Sequence, residues 1–423
     1  MGYQNDFKQK ELPKAFLDAF RVLVYGLTFL ALPSLSAQTL TSYIEEAEAN
    51  NPEVQAYELR YAIAKEKVSE VNSLPNTEFG AAVFLSEPET RTGAQKVRFS
   101  IKQMLPWFGT ITARENYAAS MAEVDYLDIA ITKRNLTMSV SQSYYRLFGI
   151  KARQAVLDEN NALLQTYEKL ALTSVEVGNA SAVDVLRLQM RQNELQEQKA
   201  ILEREFLSEQ TLFNKLLNRD NNTMVAVVDN LRLPALEDAD EVQLALHPEL
   251  LKYDRLYQSV AESESLNLKE SKPDFGIGLD YTPVASRPNM DFADNGKDIL
   301  MPMVSLSIPI FNHKYRSKSV QNDLRQQELI VQKTARMNTL ETVLSAGINS
   351  REAARIKYGT QIKNLKQARD AEEILIKNYE TGTIDFNDVL DIQELQLKFQ
   401  MRQVEAVQAY YTQTAIINYL SNE

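Results

Sequence analysis

The chain has 423 residues, a net charge of −11 at neutral pH and no cysteine. The missing cysteines exclude disulfides, thiolate metal sites and a lipid-modified N-terminal cysteine together. The acidic balance excludes a basic, nucleic-acid-seeking surface and fits an acidic surface or channel that favours cations.

Lys8, Lys10, Lys14 and Arg21 precede the apolar run from Val22 to Leu32, and Ser34-Leu35-Ser36-Ala37 supplies small residues before Gln38. This order predicts a cleaved signal peptide over 1–37. A membrane anchor is the alternative, but the run is well short of the ~20 residues that span a bilayer. Residues 1–37 carry four basic and three acidic side chains, which leaves −12 for the remainder. No later segment approaches a transmembrane helix, so the mature chain is periplasmic, secreted or a β-barrel type of membrane protein.

From Asn51 onward the chain states one long pattern twice. Asn51-Pro52-Glu53 returns as His247-Pro248-Glu249 and Phe79-Gly80 as Phe275-Gly276, both 196 residues on. Leu105-Pro106-Trp107-Phe108-Gly109 answers Ile308-Pro309-Ile310-Phe311-Asn312 at a shift of 203. Glu176-Val177-Gly178, followed by Asp184-Val185-Leu186 and Gln189, answers Glu380-Thr381-Gly382, Asp388-Val389-Leu390 and Gln393 at a shift of 204. A period this long is no solenoid; it is a duplicated half-protein. The expected division is a first repeat over 38–217, a linker over 218–241 and a second repeat over 242–423.

Each repeat reads in the same order. The first predicts a helix from about Thr39 to Asn72, two pleated stretches around a loop, a very long helix from Thr110 to about Val175, a tight turn, and a helix from about Val183 to Leu217. The second repeats this from about Val242 to Ser421. Apolar residues recur every seven positions, as in Ile150, Leu157, Leu164 and Ala171 or Leu390, Leu397, Val404 and Tyr411, a coiled-coil spacing. A helix over 110–175 would be on the order of 100 Å long, beyond any compact core. The two shorter helices of a repeat, end to end, match that length, so one long helix can pair with two short ones.

The pleated stretches alternate. Val97, Phe99 and Ile101 oppose Arg98, Ser100 and Lys102, and Phe275, Ile277, Leu279 and Tyr281 oppose Gly276, Gly278 and Asp280. This is the dyad of a transmembrane barrel strand and equally of any half-buried sheet. Four strands close no barrel, and an open edge in lipid leaves backbone groups unsatisfied. The strands therefore either avoid lipid or share one barrel among several chains. Residues 86–96 and 282–298, rich in Pro, Gly, Asp and Glu, suit exposed hairpin tips. Met224 to Val228 is strand-like and suits a small side structure halfway along the helices.

Pro106 and Pro309 are placed to end strands and turn the chain into helices. Gly178 and Gly382 are placed to stop the long helices through positive φ, with Ser181 and Asp385 capping the helices that follow. Asp184 and Asp388 sit where a first-turn carboxylate complements the helix dipole. His247 and His313, the only histidines, suit capping or surface roles. Met301 and Met303 face one side of a pleated stretch, either as barrel wall or lining a lumen that contacts soft metals. No catalytic constellation, metal site, phosphate loop or nucleophile elbow is present, so no enzyme and no cofactor is expected.

The duplication, the two Pro-aromatic junctions and the paired Gly-(five residues)-Asp-Val-Leu turns, in this order and both times, resemble the TolC-like outer-membrane efflux protein family over essentially the whole mature chain. The resemblance implies a mainly α fold with a small membrane β contribution. Three chains would give four strands each to a twelve-stranded barrel in the outer membrane of a Gram-negative bacterium, with their helices forming a long periplasmic α-helical barrel. Closure of the sheet by three chains answers the edge problem. The resemblance further implies a homotrimer working with a periplasmic adaptor and an inner-membrane efflux transporter, as a passive exit duct for small solutes or metal cations. Trp107, Phe108 and Phe311 would then sit with Pro106 and Pro309 at the level of the lipid headgroups. Gly178, Asn179, Gly382 and Thr383 would form the adaptor-contacting turns at the far tip. Asp388 and Asp391 match the family's entrance aspartates. Asp184 matches Asp388, while Arg187 stands opposite Asp391 and would supply an ionic latch between neighbouring helices. The family's basic latch residue after the turn glycine is not evident, since Thr383 and Ile384 follow Gly382. Met104 to Gly109 looks most like members tied to heavy-metal cation efflux. A duct for secreted proteins has the same architecture, and a soluble periplasmic coiled-coil adaptor is the reading from a different class.

Overall fold

The structure, a computed structural model, describes residues 40–178, 181–234, 243–381 and 383–421. The expected signal peptide, Asn179, Gly382 and residues 235–242 lie outside the described residues. In chain order the elements are α1 (Leu40–Asn50), α2 (Pro52–Val71), β1 (Glu78–Val83), β2 (Glu89–Thr90), β3 (Gly93–Gln95), β4 (Val97–Leu105), α3 (Thr110–Glu176) and α4 (Ala182–Leu216). A 3-10 turn (Leu244–Leu246) opens the second half, followed by α5 (Pro248–Glu270), β5 (Asp274–Thr282), β6 (Val284–Ala285), β7 (Ile299–Ser307), α6 (Lys314–Glu380) and α7 (Phe386–Leu420). Among the described residues, no helix is long and apolar enough to cross a membrane.

The duplication is visible in helix length. The long helices α3 and α6 each have 67 residues, and α4 and α7 each have 35. Helix α3 packs on α4 and α7 over one half of its length and on α1, α2 and α5 over the other, and α6 packs on α7 and α5 in the same way. One long helix thus pairs with shorter ones end to end. The seven-residue spacing closes the seam, since Ile150, Leu157, Leu164 and Ala171 are buried against Leu188, Leu195, Phe386 and Leu397.

The single helix expected over 39–72 is two helices. Pro52 donates no N–H and holds the residue before it out of the helical region, so the helix breaks at Asn51. Asn51 Oδ1 then accepts from the backbone N–H of Glu53 at 2.9 Å, while its Nδ2 donates to Leu216 O at 3.0 Å. The second repeat places His247 in the same role: Nδ1 accepts from Glu249 N at 3.4 Å, and Nε2 lies 3.2 Å from Tyr419 O. An accepting Nδ1 leaves the ring proton on Nε2, where it donates to Tyr419.

His247 is therefore a fully buried cap and not a surface residue. Burial holds its imidazole below the usual range, against the pull of Glu249; Arg134 and Arg336 act with burial, and Tyr419 closes the pocket from α7. The unfolded chain then binds a proton that the folded chain refuses, so stability falls as pH drops below about 6.5. His247→Asn, which copies the cap of the first repeat, is expected to keep stability near neutrality and to flatten the fall in melting temperature between neutral pH and mildly acidic buffer. An unchanged pH profile in this variant would assign the acid sensitivity elsewhere.

The middle of the molecule carries two related cores. Val54, Leu136, Tyr43, Tyr144 and Phe213 form one; Leu250 and Leu340, the counterparts of Val54 and Leu136, form the other with Leu244 and Leu420. The first is larger because residues 218–234 dock on it, burying Val225 and Val227. The strand-like Met224 to Val228 does alternate, but it finds no partner strand. Its backbone is satisfied by tyrosine hydroxyls instead: Ala226 N donates to Tyr43 Oη at 2.9 Å and Val228 N to Tyr144 Oη at 3.2 Å.

Strands β1, β4, β5 and β7 form an antiparallel sheet in the order β1-β4-β5-β7. The registers Phe79↔Ile101, Ile101↔Leu279 and Ile277↔Val304 put the apolar sets of all four strands on one face. That face is open to the outside, with Phe79 at 80% and Val304 at 83% exposure. The opposite face carries Lys102, Ser100, Ser305 and Ser307, the ion pair of Arg98 with Asp280, and Met104, Met301 and Met303. Among the described residues, the outer edges of β1 and β7 have no partner strand.

The loops expected as exposed hairpin tips are also tied to each other. Strand β3 pairs with both β2 and β6, so loops from the two repeats share a second small sheet. Phe99↔Tyr281 and Ala94↔Ala285 differ by one residue in register, a bulge in the β3–β4 strand. Arg287 donates to Glu89 Oε2 at 2.9 Å and Thr90 O at 2.6 Å, and Gly296 N donates to Thr92 O at 2.8 Å.

Candidate functional site

At the end of the molecule remote from the sheet, α3 stops because Gly178 adopts φ 79° and its N–H bonds Val175 O at 3.0 Å. An added Cβ there would meet nothing within 4 Å, so backbone conformation alone asks for glycine. In the second repeat the carbonyl of Asn378 accepts from Thr383 N at 3.0 Å, Thr383 Oγ1 at 2.7 Å and Thr381 Oγ1 at 2.9 Å.

The equivalent aspartates Asp184 and Asp388 have diverged. Ser181 Oγ accepts from Val183 N at 3.2 Å and Asp184 Oδ2 from Ser181 N at 3.3 Å, a capping box that buries Asp184. On α7 the cap is Asp385, whose Oδ1 accepts from Asn387 N at 2.9 Å. A second carboxylate folding back onto that cap would face like charge. Asp388 is exposed, and so is Asp391 one turn on.

Arg187 reaches Asn387 on α7 and lies 3.9 Å from Asp184 on its own helix. The charge pair that joins α4 to α7 is Arg191 with Glu394, at 3.1 Å, with Arg191 also held by Glu194 at 2.6 Å. Arg187, Arg191, Asn387, Asp391 and Glu394 line one groove between the two helices. The sequence signal for this pair is the repeat of charge one turn past Arg187 and Asp391.

Behind the tip, the apolar seam between α3 and α7 holds a buried polar node. Asn160 Nδ2 donates to Gln400 Oε1 at 2.7 Å, and Gln393 Nε2 to Asn160 Oδ1 at 2.9 Å. Seven residues along α3, Tyr167 donates to Glu372 of α6, which also accepts from Gln396 Nε2 at 2.8 Å. Burial first, and then the Glu372 carboxylate, push the Tyr167 hydroxyl far above its usual range, so it remains a donor. Buried polar groups at seam positions fix the axial register of packed helices.

At the other end, β4 stops at Leu105 before Pro106, and β7 at Ser307 before Pro309. Trp107 stacks on Phe275, with centroids 5.5 Å apart and planes at 19°, and Phe108 lies 5.9 Å from Trp107. Gly109 takes φ 79° to turn the chain into α3. Phe108 and Phe311 are exposed, and Asn312 Oδ1 accepts from Lys314 N at 3.0 Å at the start of α6. His313 is exposed and makes no side-chain cap.

Long paired helices carrying a four-stranded sheet with an outward apolar face define the fold of the TolC-like outer-membrane channels. The chain superposes on the outer-membrane channel OprN with a TM-score of 0.73 at 16% identity, covering 90% of this chain and 89% of that one. A CusC structure described for folding and transmembrane channel formation gives 0.74 at 14% identity, over 92% and 93%. The outer-membrane protein VceC of Vibrio cholerae gives 0.69 at 15% identity, over 90% and 95%. No protein-family model and no curated protein matches the chain.

Proposed function

We propose that the chain is one third of a passive outer-membrane exit duct, a homotrimer that carries solutes outward from an inner-membrane transporter and a periplasmic adaptor. The observation that carries this reading is the sheet: one face apolar except for Gln103 and largely exposed, the other bearing the charged and hydroxyl side chains, and both edges open among the described residues. Strand directions alternate across β1-β4-β5-β7, so β7 of one copy meets β1 of the next antiparallel, and closure satisfies every edge without a special strand. A soluble coiled-coil adaptor has no use for such a face. The helices then form the periplasmic tunnel, with Pro106, Trp107, Phe108, Pro309 and Phe311 at the membrane boundary.

The turns at Gly178 and Thr383 form the tip that meets the adaptor. Asp388 and Asp391 supply the exposed acid of the narrow entrance, while Asp184 caps α4, and Arg187 with Asn387 and Arg191 with Glu394 tie α4 to α7 beside it. Acidic rings at this point favour cations, in line with metal-cation or small-solute cargo. Met104, Met301 and Met303, on the polar face of the sheet, add soft sulfur ligands to the lumen wall. The test is direct. The full chain expressed in a Gram-negative host should fractionate with outer membranes and migrate as a trimer in mild detergent; a monomer released without detergent would overturn the reading.

A further inference from the structure

The rim where the helices meet the sheet is basic in an otherwise acidic protein. From Ser307 to Asn322 there is no carboxylate, while Lys314, Arg316 and Lys318 fall within five residues at the start of α6. The N-terminal end of a helix disfavours cations, so this placement works against the helix's own dipole. The end of α5 adds Lys269 and Lys272 at the same level, where the carboxylates are Glu270, held by Arg114 at 3.1 Å, and the exposed Asp274 opposite Ser307. Lys269 Nζ lies 3.5 Å from where a Cβ on Gly109 would be, and Asn267 Nδ2 donates to Tyr315 O at 2.9 Å, which fixes α5, α3 and α6 at one level.

None of Lys269, Lys272, Lys314, Arg316 and Lys318 forms an ion pair with a described residue. Elsewhere on the helices some cations are paired, Lys252 with Asp128 and Lys333 with Asp254, while single ones such as Lys169 are not, so what sets the rim apart is the clustering of its cations. Beside the cations stand Ile310 and Phe311, 71% and 96% exposed, immediately past the last strand. Exposed apolar anchors next to cations that lack a carboxylate partner, at the edge of an apolar band, match an acyl chain boundary with anionic headgroups above it.

We propose that this rim binds the phosphodiester headgroups of anionic phospholipid in the inner leaflet of the outer membrane, with Lys272, Lys314 and Arg316 as principal contacts. The proposal rests on the outer-membrane reading above and adds the headgroup class. The test uses the full-length protein in vesicles of phosphatidylcholine alone or mixed with phosphatidylglycerol, re-extracted in mild detergent, with retained lipid counted by native mass spectrometry. The protein should retain phosphatidylglycerol over phosphatidylcholine. Combining Lys272→Gln, Lys314→Gln and Arg316→Gln should lower that preference by roughly tenfold, whereas Lys169→Gln, Lys363→Gln and Lys366→Gln together, on the distal helices, should leave it intact.

Equal retention of the two lipids, or the same preference in both triple variants, overturns the proposal while leaving the duct reading in place. Failure to enter vesicles of either composition overturns both.

Discussion

Val304→Arg is expected to abolish assembly in the membrane, and Ser305→Arg one residue along is expected to be tolerated. Val304 lies near the middle of β7, opposite Ile277, on the apolar face. An arginine facing lipid at the bilayer midplane costs about 2–4 kcal/mol per chain, and a three-fold assembly would carry it three times. Ser305 faces the polar side, opposite Gly276, where under the duct reading a long cation would reach water. The readout is the yield of detergent-stable trimer from outer membranes. If both variants assembled equally well, the apolar face would not meet lipid, and the barrel would have to be abandoned.

The second large effect concerns the tip. Asp388→Ala combined with Asp391→Ala would remove six carboxylates from a three-fold passage and is expected to weaken block of single-channel current by multivalent cations by roughly tenfold or more. Both side chains are exposed, and neither serves as the α7 cap, a role that Asp385 fills. The folded state should therefore survive the double change. Asp184→Asn is the informative contrast. Its carboxylate is buried in a capping box, so the expected result is a loss of about 1 kcal/mol in stability with block unchanged. Equal effects on block from Asp184 and from the Asp388–Asp391 pair would mean that the repeats contribute symmetrically to the passage, against the geometry at the two turns.

The polar node at Asn160, Gln393 and Gln400 bears on how such a tip could open. It sits between the long helix of one repeat and the last helix of the other, so any rotation of α7 against α3 must exchange these hydrogen bonds or break them. Leaving such groups unsatisfied inside an apolar seam costs about 1–3 kcal/mol each. The seam therefore resists small displacements even if the exposed pairs at the tip, screened by solvent, contribute little.

What the sequence determined by itself was everything carried by local periodicity. A repeat of seven fixed the coiled-coil seams, a repeat of two fixed the faces of the strands, and the internal duplication fixed which elements match. Pro106 and Gly178 marked their element ends through backbone geometry that needs no partner. Tertiary structure decided what depended on a distant surface. The break at Asn51-Pro52 is local to the proline, but the second partner of the Asn51 side chain, Leu216, exists only once the helices have packed. Met224 to Val228 kept its alternation but was denied a strand because two tyrosine hydroxyls reached its backbone first. Asp184 and Asp388, identical by position, parted because one follows a serine cap and the other an aspartate cap. Arg187 paired with Asn387 and left the charge bridge to Arg191 and Glu394. Hydrogen bonds and ion pairs are short-ranged and directional, so their partners emerge only when the helices are already packed, whereas apolar burial is non-directional and can be read from the spacing of residues along one strand or helix.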